Sequence, residues 1–247
     1  MTCTRTISMP VPSAALVHRS SNFLLIPVVV DLKRKRAKEH LGRMKLEVAK
    51  RVAILNRDGV VRQIDPQTGD HIWVVNAPGT TTDRTSVLAG DFIHNLRSLL
   101  DHIVFSLDPK PERRPLPEWP IYQNAGPGDD GFYPAGIMKI WSLPVAAKVI
   151  VEGLQPYNGG NEPLLHIRNL DNIDKHRRLL TTRFKHGDVI GRAAPTNDMT
   201  QVEQMNLHPR FQITIDEPGI SGEIISEFSK LYEFVEKVVL PKFKPLF

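Results

Sequence analysis

The chain has 247 residues, of which 41% are hydrophobic and 24% charged, and this composition fits one or two globular domains with a normal core. Its formal net charge of +5 permits a nucleic-acid partner without requiring one. A single cysteine, Cys3, excludes an intramolecular disulfide and a zinc site built from CxxC pairs. The longest apolar run, residues 23–30, is far shorter than the roughly 20 residues that cross a bilayer, so we expect a soluble, cytoplasmic protein.

The first third of the chain predicts an unstructured start, a helix and a hairpin. Residues 1–22 are rich in Ser, Thr and Pro and have no periodicity, which predicts a disordered extension. The patterns that follow predict a short strand, an amphipathic helix and two strands joined by a turn-rich loop, at residues 23–30, 31–56, 60–64 and 71–75.

The rest of the chain predicts mostly helices. A long helix begins near Thr85 or Ser86, either of which can cap it, and runs to about Leu107. A Gly- and Asp-rich stretch at 124–136 predicts a surface loop. The remaining patterns predict helices at 144–154, 163–184 and 221–240 and strand-like runs at 188–193 and 211–215.

These elements predict a mainly α fold, a helical bundle with small hairpin and strand additions, α+β overall. We expect a helical core domain over residues 23–184, with an inserted hairpin at 60–76. A strand pair and the C-terminal helix, residues 185–247, would pack on that core.

The long helix carries an unusual polar face. On a helical wheel its apolar side chains fill one side, and the opposite side has no Lys or Glu, which ordinary solvated faces prefer. That side holds Asp91, His94, Asn95, Arg97, Ser98, Asp101 and His102. A face of this composition indicates either chemistry or a buried polar network.

Arg97 and His102 form the pattern Arg-x4-His on this helix. The pattern resembles the signature of the HEPN superfamily, whose ribonuclease members carry Arg-x4-6-His on a helix of a four-helix bundle. The loose form also occurs at Arg34 and His40, but without the other polar residues. The resemblance implies a homodimer that cleaves RNA without a metal or cofactor, or a related module that only binds RNA.

In that reading Arg97 holds the scissile phosphate and His102 acts as the general acid or base. Asp91, His94, Asn95 and Asp101 would orient these two residues or bind RNA.

A second polar cluster occurs at residues 170–177, with Asn172, Lys175, His176 and Arg177 as candidate binding or orienting residues. On a helix Asn172 and His176 share one face. Because polar groups mixed into an apolar face need hydrogen-bond partners, we expect this face to meet the polar face of the long helix.

Both segments together resemble a set of uncharacterised bacterial and phage proteins. These share a Gly-Asp-Phe-Ile-His-Asn-Leu-Arg-Ser-x-Leu-Asp-His helix, here residues 90–102, and a later Leu-Asp-Asn-Ile-Asp-Lys-His-Arg segment, here residues 170–177. Trp119-Pro120-Ile121 resembles their aromatic-Pro-Ile link. The resemblance implies a shared domain and site, and a ribonuclease of this kind would suit a toxin or phage-defence effector.

Two other interpretations stay open. The polar face can be a buried network in a non-catalytic, dimeric helical module. His94, Asp91 and Asp101 have spacings that can chelate a metal, which would indicate a metal-dependent hydrolase. No P-loop, GxGxxG or GxSxG element occurs, which disfavours nucleotide-dependent enzymes and serine hydrolases of those types.

Overall fold

The computed structural model describes residues 26–75, 83–112, 116–127, 134–185, 192–193 and 211–247. The predicted extension at 1–22 lies outside these residues. The principal helices are α1 (Val28–Asp58), α2 (Asp83–Leu107), α3 (Pro134–Ile140), α4 (Val145–Gly153), α5 (Glu162–His176) and α6 (Ile224–Phe234). After α6 the chain continues through a π-helical turn, Val235–Val239, into the short helix α7, Leu240–Phe243.

Four of the helices close into a bundle. Helix α1 packs on α2, α2 on α5, α5 on α6, and α6 on α1. Helices α1 and α2 are antiparallel: Arg84 at the start of α2 lies 3.6 Å from Glu47, and Asp91, further along α2, lies 3.7 Å from His40, which comes earlier in α1. The mainly α, α+β fold predicted from the sequence is therefore confirmed.

The apolar stripe of α2 forms the centre of the core. Seven of the eight side chains predicted to face inward are 0% exposed: Phe92, Ile93, Leu96, Leu99, Leu100, Ile103 and Val104. The eighth, Leu107 at the end of α2, is half-buried. The Phe92 ring stacks on Phe228 of α6, with ring centroids 5.1 Å apart. Because burying each large side chain contributes about 1.5–3 kcal/mol, this stripe holds α2 in the middle of the bundle.

Two small antiparallel sheets flank the bundle. Strands β1 (Val60–Ile64) and β2 (His71–Val75) form the predicted hairpin, and β2 also pairs with β4 (Arg192–Ala193). The second sheet has the order β3 (Thr182–Lys185), β5 (Gln212–Glu217), β6 (Ile220–Glu223). Gly69 in the first hairpin has φ 72°, a left-handed conformation that glycine adopts without strain.

Several element boundaries differ from the sequence predictions. Helix α2 begins at Asp83, so the predicted caps Thr85 and Ser86 lie buried within the helix. Residues 28–30 of the predicted strand form the first turn of α1, because Pro27 precedes the helix and Val30 is buried in the core. That burial outweighs the preference of β-branched residues for strands. The helix predicted over 163–184 ends at His176, and residues 182–185 pair with β5 instead.

Two elements had no sequence prediction. Helix α3 lies partly within the predicted loop, and it begins at Pro134, a residue suited to a first helical turn. Strand β6 occupies the start of the predicted C-terminal helix, which begins at Ile224 instead. The Glu223 side chain caps that helix by accepting hydrogen bonds from the N–H groups of Ile225 and Ser226, at 3.1 and 2.6 Å.

None of the helices in the described part of the chain has the length and apolar character needed to cross a membrane.

Candidate functional site

A cavity of about 440 Å³ lies between α2, α3, α5 and the extended segment 116–122. Its volume falls within the roughly 300–1,000 Å³ typical of small-ligand sites. Helix α2 contributes Arg97 and Asp101, and α3 contributes Lys139. The cavity therefore joins three elements that are far apart in the sequence.

One face of α5 forms a whole wall of the cavity. It contributes Arg168, Asp171, Asn172, Lys175 and His176, at positions i, i+3, i+4, i+7 and i+8. These spacings place all five side chains on one side of a helix. The polar residues predicted at 172, 175 and 176 thus lie in the same cavity as Arg97 and Asp101.

On the opposite wall Arg97 contacts two carboxylates and a backbone carbonyl of the protein. Its side chain is 10% exposed, and Nη2 donates to Glu118 Oε1 at 2.7 Å and to the Trp119 carbonyl at 3.0 Å. Its Nη1 lies 2.8 Å from Asp101 Oδ1, an ion pair without hydrogen-bond alignment. Arg97 therefore ties segment 116–122 to α2, as a buried polar network would.

Asp101 joins the same arrangement through its carboxylate. Oδ1 accepts the Trp119 N–H at 3.0 Å, so Arg97 and Asp101 together hold both backbone groups of that residue. Burial raises the pKa of Asp101 to about 6, although Arg97 and the Trp119 N–H oppose the rise. The side chain is one-third exposed at the cavity wall, yet the surrounding protein is dense enough for desolvation to dominate.

The charged and polar side chains on α5 make fewer contacts within the protein than Arg97 does. Lys175 Nζ pairs with Asp171 Oδ2 at 2.7 Å. Arg168, Asn172 and His176 make no side-chain hydrogen bond or ion pair within the described residues. Half-buried Arg168 and exposed His176 therefore present their donors to the cavity or to solvent.

His102 lies outside the cavity. Five residues of helix separate it from Arg97 by about 140°, so the two side chains leave α2 in different directions. His102 is half-buried on the side of α1, where burial and then the charge of Lys33 lower its pKa. The structure thus does not bring the predicted catalytic pair to one point within this chain.

Asp91, His94 and Asn95 belong to a separate cluster where α1, α2 and α5 meet. His94 Nδ1 lies 3.4 Å from Asp171 Oδ1, and His40 Nδ1 of α1 lies 3.7 Å from Asp91 Oδ2. Asn95 Nδ2 donates to the Asp91 carbonyl within the helix, at 2.7 Å. These contacts link three helices beside the cavity rather than line it.

Asp174 completes this cluster by packing directly on α2. A methyl group at Gly90 would overlap its carboxylate, so the Asp174 side chain can lie against α2 in this position because residue 90 has no side chain. Burial raises the pKa of Asp174, and the neighbouring carboxylates of Asp171 and Asp91 raise it further.

The metal interpretation receives no geometric support from these clusters. No group of three or more His, Cys, Asp or Glu side chains among the described residues is arranged to hold a metal ion. Arg177, the last residue of the second motif, is exposed at the end of α5 and does not line the cavity.

Sequence reasoning missed Glu118, Tyr122, Lys139, Arg168 and Asp171 as candidate site residues of the cavity. Arg168 could have been found, because it continues the stripe of Asn172 and His176 at intervals of four. Glu118 directly precedes the Trp-Pro-Ile link, which would have justified its inclusion. Tyr122 is fixed against α3, since a methyl group at Gly136 would lie 2.6 Å from its ring. Nothing in the sequence pattern predicted that contact, or Lys139.

No family model, curated protein or solved structure matches this chain. The functional argument therefore depends on the geometry of the cavity.

Proposed function

We propose that the protein binds single-stranded RNA in the cavity between α2 and α5. The observation that supports this most directly is the α5 wall, where Arg168 and His176 line the cavity without a partner among the described residues. A guanidinium fork matches the geometry of a phosphate, and Lys175 adds a second cation beside it. The chain's net charge of +5 would assist approach of a polyanion.

The non-cationic lining of the cavity favours a nucleic acid over a simple anion. Trp119 and Ile121 are buried behind the lining, so the half-buried Tyr122 is the aromatic side chain that reaches the cavity. Proteins that bind single strands combine a cationic groove for phosphates with aromatic rings for bases. A strand could therefore place a phosphate at α5 and a base near Tyr122.

Fluorescence anisotropy with a labelled single-stranded RNA tests this proposal. Arg168→Ala should weaken binding about tenfold and reduce the slope of log K against log salt by about one, as loss of one phosphate contact predicts. Arg177→Ala is the matched control, because it removes the same charge from the end of the same helix, outside the cavity. Equal effects of the two variants, or no RNA binding by the wild type, would overturn the proposal.

Metal-independent cleavage of the bound RNA is a second candidate, favoured by the raised pKa of Asp101, about 6, in the same cavity. In this reaction the 2′-oxygen bonds to phosphorus and the bond to the 5′-oxygen breaks, which yields a cyclic phosphate and a free 5′-hydroxyl. A base accepts the 2′-hydroxyl proton and an acid supplies one to the 5′-oxygen. A carboxyl titrating near neutral pH can serve in either role.

Incubation of purified protein with a mixed RNA pool in EDTA tests cleavage. Asp101→Asn should abolish it if Asp101 transfers the proton, whereas loss only in His102→Ala would assign that role to the residue first predicted. Growth of cells expressing each variant provides the corresponding test of a toxin. If the RNA stays intact in EDTA, metal-independent cleavage is excluded, and the proposal is reduced to a non-catalytic module that binds RNA. That the protein is a homodimer stays a prediction. Light scattering on the purified protein would measure its molar mass and so test it.

A further inference from the structure

One carboxylate in the cavity occupies a position between two cations. Glu118 Oε1 lies 2.7 Å from Arg97 Nη2 on α2 and 3.1 Å from Lys139 Nζ on α3. A single acceptor oxygen shared by a guanidinium and an ammonium from different elements is an arrangement that phosphate oxygens also adopt. The protein's own carboxylate therefore fills a position suited to an anionic ligand.

We propose that Arg97 and Lys139 form an anion subsite that Glu118 occupies in the free protein and vacates when a phosphate group binds. The proposal rests on the proposed function in one respect: the phosphate is taken to be the neighbour of the one held at Arg168. The cavity would then hold two successive phosphates of one strand, and Glu118 would limit the affinity of the second.

The exposures of the three side chains determine which one can move. Glu118 is 42% exposed, so its carboxylate can turn into water, where hydration offsets the loss of its two ion pairs. Arg97 is 10% exposed and keeps Asp101 and the Trp119 carbonyl after Glu118 leaves. The guanidinium therefore stays in place while the carboxylate is exchanged for the ligand.

The size of the effect follows from the contacts that Glu118 makes. Partly exposed ion pairs contribute little individually, but the ligand must replace two of them. Neutralising Glu118 should therefore tighten phosphate binding roughly three- to tenfold. The gain should depend on Lys139, because Lys139 is one of the two cations that the Glu118 carboxylate contacts.

Isothermal titration with inorganic pyrophosphate tests the subsite, using the full chain. Glu118→Gln should bind pyrophosphate three- to tenfold more tightly than Glu39→Gln, and adding Lys139→Ala to Glu118→Gln should remove the gain. Glu39→Gln is the matched control, because Glu39 is an exposed, ion-paired carboxylate on α1 that does not line the cavity. Its substitution changes the net charge equally.

The outcomes separate this proposal from the proposed function. Equal pyrophosphate affinity of the two Gln variants overturns the subsite even if the wild type binds RNA. Tighter binding by Glu118→Gln supports the subsite even if RNA does not bind. Thermal unfolding of each variant identifies one that fails to fold. In that case Glu118→Ala is compared with Glu39→Ala in the same titration, and equal affinities again overturn the proposal.

Discussion

The two main walls of the cavity use the same residue types in different ways. On the α2 wall Arg97 and Asp101 are engaged by each other, by Glu118 and by the backbone of Trp119. On the α5 wall Arg168 and His176 have no partner among the described residues. Arg97, in the predicted motif, therefore stabilises the fold, whereas Arg168, outside the motif, has donors available for a ligand.

The difference between the two walls is tested most strongly by comparing the stability of Arg97→Ala with that of Arg168→Ala. Loss of Arg97 leaves the Asp101 carboxylate and the buried Trp119 carbonyl without their cation, while Glu118 keeps Lys139, so the free energy of unfolding should fall by about 3 kcal/mol. Loss of half-buried Arg168 should change it by less than about 0.5 kcal/mol. Urea denaturation monitored by circular dichroism measures both values. Similar losses would show that the two walls do not differ as the contacts indicate.

Gly90→Ala tests how the α5 wall is held against α2. The new methyl group would overlap the Asp174 carboxylate, so that side chain or α5 must shift, and we expect a net loss of about 1–2 kcal/mol in unfolding free energy. Gly42→Ala in α1 is the matched control, because no atom lies within 4 Å of the added carbon. There the higher helix propensity of alanine should stabilise the protein by about 0.5–1 kcal/mol. A stabilising Gly90→Ala would contradict the close contact.

Periodicity predicted the parts of the fold that local chemistry determines. The apolar stripe of α2 and the strands of the β1–β2 hairpin agree with the structure. Periodicity could not predict the end of α5 at His176. Segment 178–185 depends instead on distant β5, where Glu217 accepts hydrogen bonds from Arg178 and the Thr181 N–H. Contacts between residues this far apart in the sequence leave no pattern in a short stretch of it.

The sequence predicted which residue types form the candidate site, but not the directions in which the side chains of α2 point. The sequence indicated that the faces of Arg97 and His176 would meet, and both residues line the cavity. It could not show that His102 lies on the side of α1, because that depends on which helix packs against each side of α2. A wheel divides a helix into faces, but the neighbours of each face come from the tertiary structure.

The pH dependence of stability tests the smallest expected effect on the α2 wall, the change in protonation of Asp101 on folding. The pKa of Asp101 is raised to about 6 in the folded protein from an ordinary value of 3.8, so the folded state binds its proton more tightly than the unfolded state. Stability contributed by this group is therefore complete below about pH 4 and is lost as the pH rises to about 6. Asp101→Asn cannot titrate and should lack this loss.

The quantity to measure is the unfolding free energy of the wild type minus that of Asp101→Asn, at intervals from pH 4 to pH 8. It should fall by about 1 kcal/mol between pH 4 and 6, after allowance for the water that screens a one-third-exposed side chain, and stay level above. A difference that instead rises over this range would mean that pairing with Arg97 outweighs burial. Asp101 would then be a fixed anion at neutral pH, unable to exchange a proton there, and the case for cleavage through this residue would be lost while that for RNA binding at α5 would stand.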